Sequence, residues 1–286
     1  MGRDRLSDAR LDLETSFTHA ITSERWISLG ASAIGTSHLT KGIPNDDSFA
    51  IQTIPREDGS EWLVMVVCDG AGSAKFGGIG AKSTAINTIE LIQNHTTTIS
   101  SPNELQATIK EIVKRLKNQL VNEATSQSAK IRDFACTWVL AVWSMDELFI
   151  AQIGDGACVF HAADEWNVGI WPMQGEYANT TRFITDEHAE QIVETCTHLT
   201  AVDAIVLFSD GLQRLALRWQ ERDAMQGFFN PLYRSLSALN PPIHSETTHS
   251  DAALSWANQL AGWLNGTQVN SRTDDDKTMV WGVKRT

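Results

Sequence analysis

Basic residues are scarce in this chain. Its 286 residues carry 23 Lys and Arg against 35 Asp and Glu, a formal charge of −12. A chain this acidic is a poor candidate for wrapping nucleic acid or lying on anionic lipid, and neither partner is expected. Long apolar runs are missing too. None approaches the roughly 18–20 residues that cross a bilayer. The first 22 residues are charged throughout and lack the apolar centre of a secretory signal. Cysteine is sparse and unpatterned. Cys68, Cys136, Cys158 and Cys196 form no CxxC pair, and three of them lie inside apolar runs. They read as small buried core residues rather than as disulfide or zinc partners. A reducing, cytoplasmic setting is the expectation. Internal repeats and low-complexity linkers are absent as well.

What is present suits an ordinary globular protein. Apolar residues make up 42% of the chain, and its length allows a sizeable core. Residues 1–21 read as an N-terminal extension in which Leu6, Leu11, Leu13 and Phe17 could line a short helix. Residues 22–286 read as one compact domain. Strand-like runs cover Trp26–Ser32, Ser48–Ile54 and Trp62–Cys68, and the last two flank a Pro/Asp/Gly-rich turn, Pro55–Ser60. Two helices are expected next. One starts near Gly77–Gly80. The other has Ser101 as cap, Pro102 in its first turn and Glu104 three residues after the cap. Further strands are expected at Ala135–Trp143, Glu147–Ile153, Ala157–His161, Trp166–Trp171, Thr180–Ile184, Ala204–Phe208 and Thr278–Val283. Met145-Asp146 and Asp155-Gly156 suit tight antiparallel connections. Helical segments are expected near 220–238 and 249–264, kept apart by Pro241-Pro242. Hairpin-linked strands with helices inserted early and late indicate an α+β fold, not a parallel α/β sheet.

Five acidic segments carry the chemistry. They are Asn45-Asp46-Asp47-Ser48, Cys68-Asp69-Gly70-Ala71-Gly72, Gly154-Asp155-Gly156, Ser209-Asp210-Gly211 and Asp274-Asp275-Asp276-Lys277-Thr278. In three of them an Asp-Gly pair follows an apolar run. An aspartate at the end of a buried strand is held rigidly, and the glycine after it lets backbone approach closely. Taken singly, each segment is also an ordinary polar turn. Gathered by folding, such carboxylates make a site for a hard divalent cation. The glycines after Asp69 do not give the G-x-G-x-x-G dinucleotide pattern. Cys68 is followed by acid rather than by a phosphate cradle ending in Arg, against a cysteine-nucleophile phosphatase.

In order and context, these segments together with Ala135-Cys136-Thr137 resemble the metal-dependent serine/threonine protein phosphatases, the protein phosphatase 2C family. The resemblance spans about Trp26 to Val283. It implies a four-layer α-β-β-α sandwich, two antiparallel sheets flanked by helices, with Mg²⁺ or Mn²⁺ at one end. Two ions are implied, with a position for a third. Asp69 would bridge the two metals and Gly70 would offer its carbonyl. Asp210 and Asp275 would be further ligands, Asp46 and Asp47 would hold metal-bound waters, and Asp155 would serve the third site. Asp276 stands where many members have Asn. The implied reaction is direct in-line attack of water on phosphoserine or phosphothreonine, with Asp69 and Asp47 among the groups that carry it. Phosphorylated substrates of a serine/threonine kinase are the implied partners.

One departure concerns the substrate. Many members have an arginine four residues before the first acidic residue, and here that position is Gly42. His38 and Lys41 are the nearby groups that could bind phosphate, and His38 could protonate the leaving group. His161 and His188 are other acids by residue type. Trp166, Trp171, Tyr177 and Phe183 fall where the family carries a variable flap. Two other readings stay open at this point: a phosphatase-like regulatory module without catalysis, and a two-metal phosphatase of small phosphorylated molecules.

Overall fold

The computed structural model describes residues 15–173, 181–199, 201–238 and 246–285. Leu6, Leu11, Leu13, Tyr177 and Pro241-Pro242 lie outside them. The strands, in chain order, are β1 (Ser16–Thr22), β2 (Trp26–Ala33), β3 (Asp47–Pro55), β4 (Glu61–Asp69), β5 (Trp138–Trp143), β6 (Leu148–Ile153), β7 (Ala157–Ala162), β8 (Glu165–Ile170), β9 (Glu194–His198), β10 (Ala204–Phe208), β11 (Leu217–Arg218), β12 (Asp223–Ala224) and β13 (Lys277–Lys284). The helices are α1 (Thr36–Lys41), α2 (Gly77–His95), α3 (Leu105–Ser126), α4 (Ala189–Ile192), α5 (Gln213–Ala216), α6 (Gln226–Ser237), α7 (Glu246–Leu264) and α8 (Thr267–Asn270).

Two large antiparallel sheets result, and β11 and β12 pair apart as a two-stranded ribbon. One has the order β1-β2-β13-β10-β7-β8, the other β3-β4-β5-β6-β9. Both central strand sets read as continuous apolar runs because each sheet is covered on both faces. Alternate residues of β4 divide accordingly. Leu63, Met65 and Val67 face the partner sheet with Val139, Leu207 and Val280. Val64, Val66 and Cys68 face α2 and α3 with Ile89, Ile112 and Leu116. On the other side Met279, Trp281 and Val283 of β13 meet Phe229 of α6 and Trp256 and Leu260 of α7. Three apolar layers between four structural layers make the expected α-β-β-α sandwich.

Several local expectations change. Residues 16–22 form β1, paired along its length with β2, and Phe17 stacks on Phe49 at 5.0 Å rather than lining a helix. Pro102–Glu104 is a single 3₁₀ turn ahead of α3, and the Ser101 side chain makes no cap. Asp155-Gly156 is not a hairpin. β6 and β7 belong to different sheets, so the chain crosses between sheets at Asp155. Among the described residues of 180–184 there is no strand; β9 takes the sheet edge instead, pairing with β6. All four cysteines are free, three buried and Cys196 partly so.

Candidate metal centre

The acidic segments meet because strand ends meet. β3 begins where β4 ends, with Asp47 opposite Asp69 in the ladder. In the facing sheet β10 ends where β13 begins, and the Ser209 N–H donates to the Thr278 carbonyl at 3.1 Å. The sheet crossover at Asp155 falls at the same end. One carboxylate oxygen from each of Asp69, Asp155 and Asp210 lies within 4.8 Å of the others. They line a cavity of about 210 Å³ together with Gly70, Asp275, Asp276 and His38. Two close backbone approaches keep it tight. A Cβ on Gly211 would overlap the Asp276 carbonyl, and one on Gly70 would overlap the backbone of Gly77.

The carboxylates are charge-frustrated. Asp69 is pushed well above the ordinary carboxylate range by burial, then by Asp47 and Asp210. Asp47 is raised in the same way, by burial and then by Asp276. Asp210 is pushed up to about 7 by burial, then by Asp155 and Asp275. Burial also raises Asp155 and Asp275. Like charges in a desolvated cluster cost stability unless protons or cations join them. Asp47 supplies a second sign. It is 4% exposed, its Oδ2 accepts from the Ser209 hydroxyl at 2.7 Å, and its Oδ1 has no partner. An all-oxygen set of carboxylates plus a backbone carbonyl suits a hard divalent ion.

Around this cluster the roles separate. The Asp69 N–H donates to the Thr137 hydroxyl at 3.1 Å, and the Thr137 N–H donates to the Asp69 carbonyl at 2.8 Å. Thr137, of the Ala135-Cys136-Thr137 segment, thus holds the backbone of Asp69 in place. Asp155 accepts from the Thr181 hydroxyl at 2.8 Å, and its carbonyl accepts from the Gln213 amide. Asp46 turns away. Its Oδ1 accepts from the Gly78 N–H at 3.2 Å and it lines a neighbouring groove instead of the cavity.

Asp276 does more than its motif position indicates. It is 3% exposed and accepts from the Gly35 N–H at 2.5 Å and the Asp46 N–H at 2.7 Å. Its Oδ2 also lies 2.9 Å from His38 Nδ1, a close contact that does not have hydrogen-bond geometry. Two further ties hold α1 against the acidic loop. The Ser37 N–H donates to the Asp274 carbonyl at 2.9 Å, and the fully buried Lys277 ammonium donates to the Ile34 carbonyl at 3.2 Å. Helix α1, which periodicity did not reveal because it is only six residues long with no buried residue, thereby delivers His38 to the cavity.

Lys41 is not brought in; it is exposed at the end of α1. Gly42 after it caps α1 at φ +67°, a left-handed conformation that disfavours arginine. The Gly42 departure therefore has a backbone reason. Exposed Arg214 and Arg272 instead line a polar cavity of about 440 Å³ that shares Asp210 and Asp275 with the acidic one. Neither was singled out in the sequence, since no motif marks them. His161 sits 3.3 Å from Asp203 and against Trp166 and Tyr233, and His188 is exposed beside Glu187. Neither lines the cavity. Of the aromatics, Phe183 lines it, Trp166 is buried core and Trp171 packs on Trp219.

Comparison with known proteins agrees with this geometry. Residues 34–265 match the family model described as Protein phosphatase 2C. Serine/threonine-protein phosphatase 3 of Escherichia coli (strain K12) is 35% identical over 257 residues, 89% of this chain and 97% of that protein. Among solved structures, PppA, described as a key regulatory component of T6SS in Pseudomonas aeruginosa, superposes with a TM-score of 0.58. It is 14% identical, over 93% of this chain and 100% of that one. The serine/threonine phosphatase Stp1 from Staphylococcus aureus gives a TM-score of 0.53 at 15% identity, over 95% and 94%. At such identities the structural likeness speaks to the fold. The family match and the curated relative, each covering most of the chain, go further: this chain belongs to the protein phosphatase 2C family.

Proposed function

We propose that this protein is a metal-dependent phosphoprotein phosphatase that hydrolyses phosphoserine and phosphothreonine monoesters. The observation that carries this is the convergence of Asp69, Asp155 and Asp210 within 4.8 Å in a cavity that also receives His38. Mg²⁺ or Mn²⁺ would be held by Asp69, the Gly70 carbonyl, Asp210 and Asp275. Asp47 supports them from behind, and Asp155 is available to a third ion. Bound there, such ions lower the pKa of water and neutralise phosphoryl oxygens. The chain's own residues do the remainder. Thr137 and Ser209 fix the strand ends, and Asp276 orients His38. His38 hydrogen-bonds the phosphoryl group or donates a proton to the departing serine oxygen. Asp47 and Asp210, raised by burial and by neighbouring carboxylates, hold protons that a bound cation would displace.

The substrates are taken to be targets of a serine/threonine kinase, and the catalytic unit to begin at the first described strand. Among the described residues no helix is long and apolar enough to cross a membrane. A cytoplasmic setting fits the free cysteines. The regulatory-module reading rests on loss of ligands, and every carboxylate is retained. The test is Mn²⁺-dependent hydrolysis of p-nitrophenyl phosphate. Asp69→Asn and Asp210→Asn should each reduce kcat by about 10³-fold, with ~4 kcal/mol of transition-state stabilisation lost. Activity that survives both substitutions, or survives chelation, sinks the assignment.

A further inference from the structure

Helix α2 is apolar on two sides, and the fold explains only one. Ala81, Ala85, Ile89 and Ile92 are buried against the sheet and α3. Ile79 and Ile86 point outward, 43% and 54% exposed. Their spacing of seven residues puts them on one stripe of the helix. With Phe76 and Pro44 they line a groove of about 550 Å³. Leu39 and Ile43, 42% and 37% exposed, lie on the segment leading into Pro44. A contiguous apolar surface rimmed by polar side chains, such as this groove floor, is the kind that marks an interaction site.

The groove shares no lining residue with the acidic cavity, but the Asp46 backbone joins the two. Asp46 lines the groove, and the Asp46 N–H donates to Asp276, which lines the acidic cavity. That cavity, about 210 Å³, matches the scale of one phosphorylated side chain rather than of a peptide segment. The polypeptide on either side of the phosphoresidue must therefore lie outside it. Lys75 and Lys82 flank the groove, and neither is in an ion pair among the described residues. Glu123 lines the groove as well, and the Asp46 carboxylate is engaged by Gly78. In a chain of net charge −12, two unpaired lysines beside an apolar floor select for a partner of definite chemistry.

Resting on the phosphatase reading, we propose that this groove docks the substrate segment next to the phosphoserine. It takes an aliphatic or aromatic side chain against Ile79 and Ile86 and a carboxylate against Lys75 and Lys82. The phosphatase would then prefer phosphosites with an apolar and an acidic residue nearby.

The test uses the full chain with Mn²⁺ and three substrates. These are p-nitrophenyl phosphate, a phosphoserine peptide flanked by Gly and Ser, and the same peptide carrying Leu and Glu on each side in turn. One of the Leu/Glu peptides should be preferred by about tenfold in kcat/KM, mainly through KM, the scale of burying one aliphatic side chain. The Ile79→Ser/Ile86→Ser double variant should abolish that preference, and Lys82→Glu should reduce it. Hydrolysis of p-nitrophenyl phosphate should stay within about twofold in both, since that ester is too small to reach the groove. No preference in the wild type, or a preference untouched by the double variant, overturns the docking site. Inactivity of the wild type towards every ester would instead refute the phosphatase reading. Fluorescence anisotropy of the labelled Leu/Glu peptide would still report on the groove: binding lost in the double variant supports it, and equal or absent binding refutes it.

Discussion

Strand β13 begins and ends on opposite principles. At its start Asp275, Asp276 and Lys277 bring charge into a crowded, desolvated place. Five residues after Asp276, Trp281 packs among aromatic rings, 5.6 Å from Trp166 and 6.3 Å from both Phe229 and Trp256. The aromatic half holds the sandwich together by burying apolar surface. The acidic half works against it, since buried like charges favour unfolding until a cation or proton arrives. Stability and function are thus separated along one strand and the two acidic residues that precede it. The separation also shows why the site needs rigid support. Only a scaffold that is stable elsewhere can keep Asp69, Asp155 and Asp210 within 4.8 Å of one another.

The largest test of this contrast exchanges the expected penalties. Trp281→Ala should cost about 3–5 kcal/mol of stability, read by denaturant melts. Asp69→Asn should leave the chelated protein as stable as the parent, or more so, although activity is lost. Equal destabilisation by the two would erase the distinction. A smaller effect comes from pH. Asp210 has an ordinary value of 3.8 and a folded value of about 7, so the folded state holds its proton more tightly than the unfolded chain does. Folding is favoured below about 3.8, and that advantage is lost as pH rises through about 7. Chelated protein should therefore melt at lower temperature at pH 7.5 than at pH 5. Mn²⁺ should raise the melting temperature most at the higher pH. A stability profile rising with pH in chelator would contradict this. The smallest effects distinguish two neighbours on α1. His38→Ala should lower kcat/KM by about 10–100-fold. Lys41→Ala should change it by less than about twofold, as an exposed residue outside the cavity.

The sequence made the sandwich legible because the central strands are continuous apolar runs bounded by turn residues and α3 carries an apolar face at helical spacing. It also made the acidic cluster legible, because Asp-Gly pairs at strand ends form an ordered series. Three features escaped it. Helix α1 is too short to show a period, so how His38 reaches the site could be seen only in three dimensions. The role of Asp276 depends on backbone N–H groups of Gly35 and Asp46, which no side-chain pattern reports. Asp155-Gly156 has hairpin composition, yet a local pair does not encode whether the next strand joins the same sheet. The outward Ile79 and Ile86 were hidden for the opposite reason, since in sequence they blend with the core positions of α2.

The central claim is that these strand-end carboxylates are a cation centre. Anomalous diffraction from Mn²⁺-soaked crystals tests it most directly. Peaks ligated by Asp69 and Asp210 are expected, with Asp275 in the shell and Asp46 outside it. Soaked crystals with no manganese at Asp69, from a preparation that hydrolyses p-nitrophenyl phosphate, would contradict it.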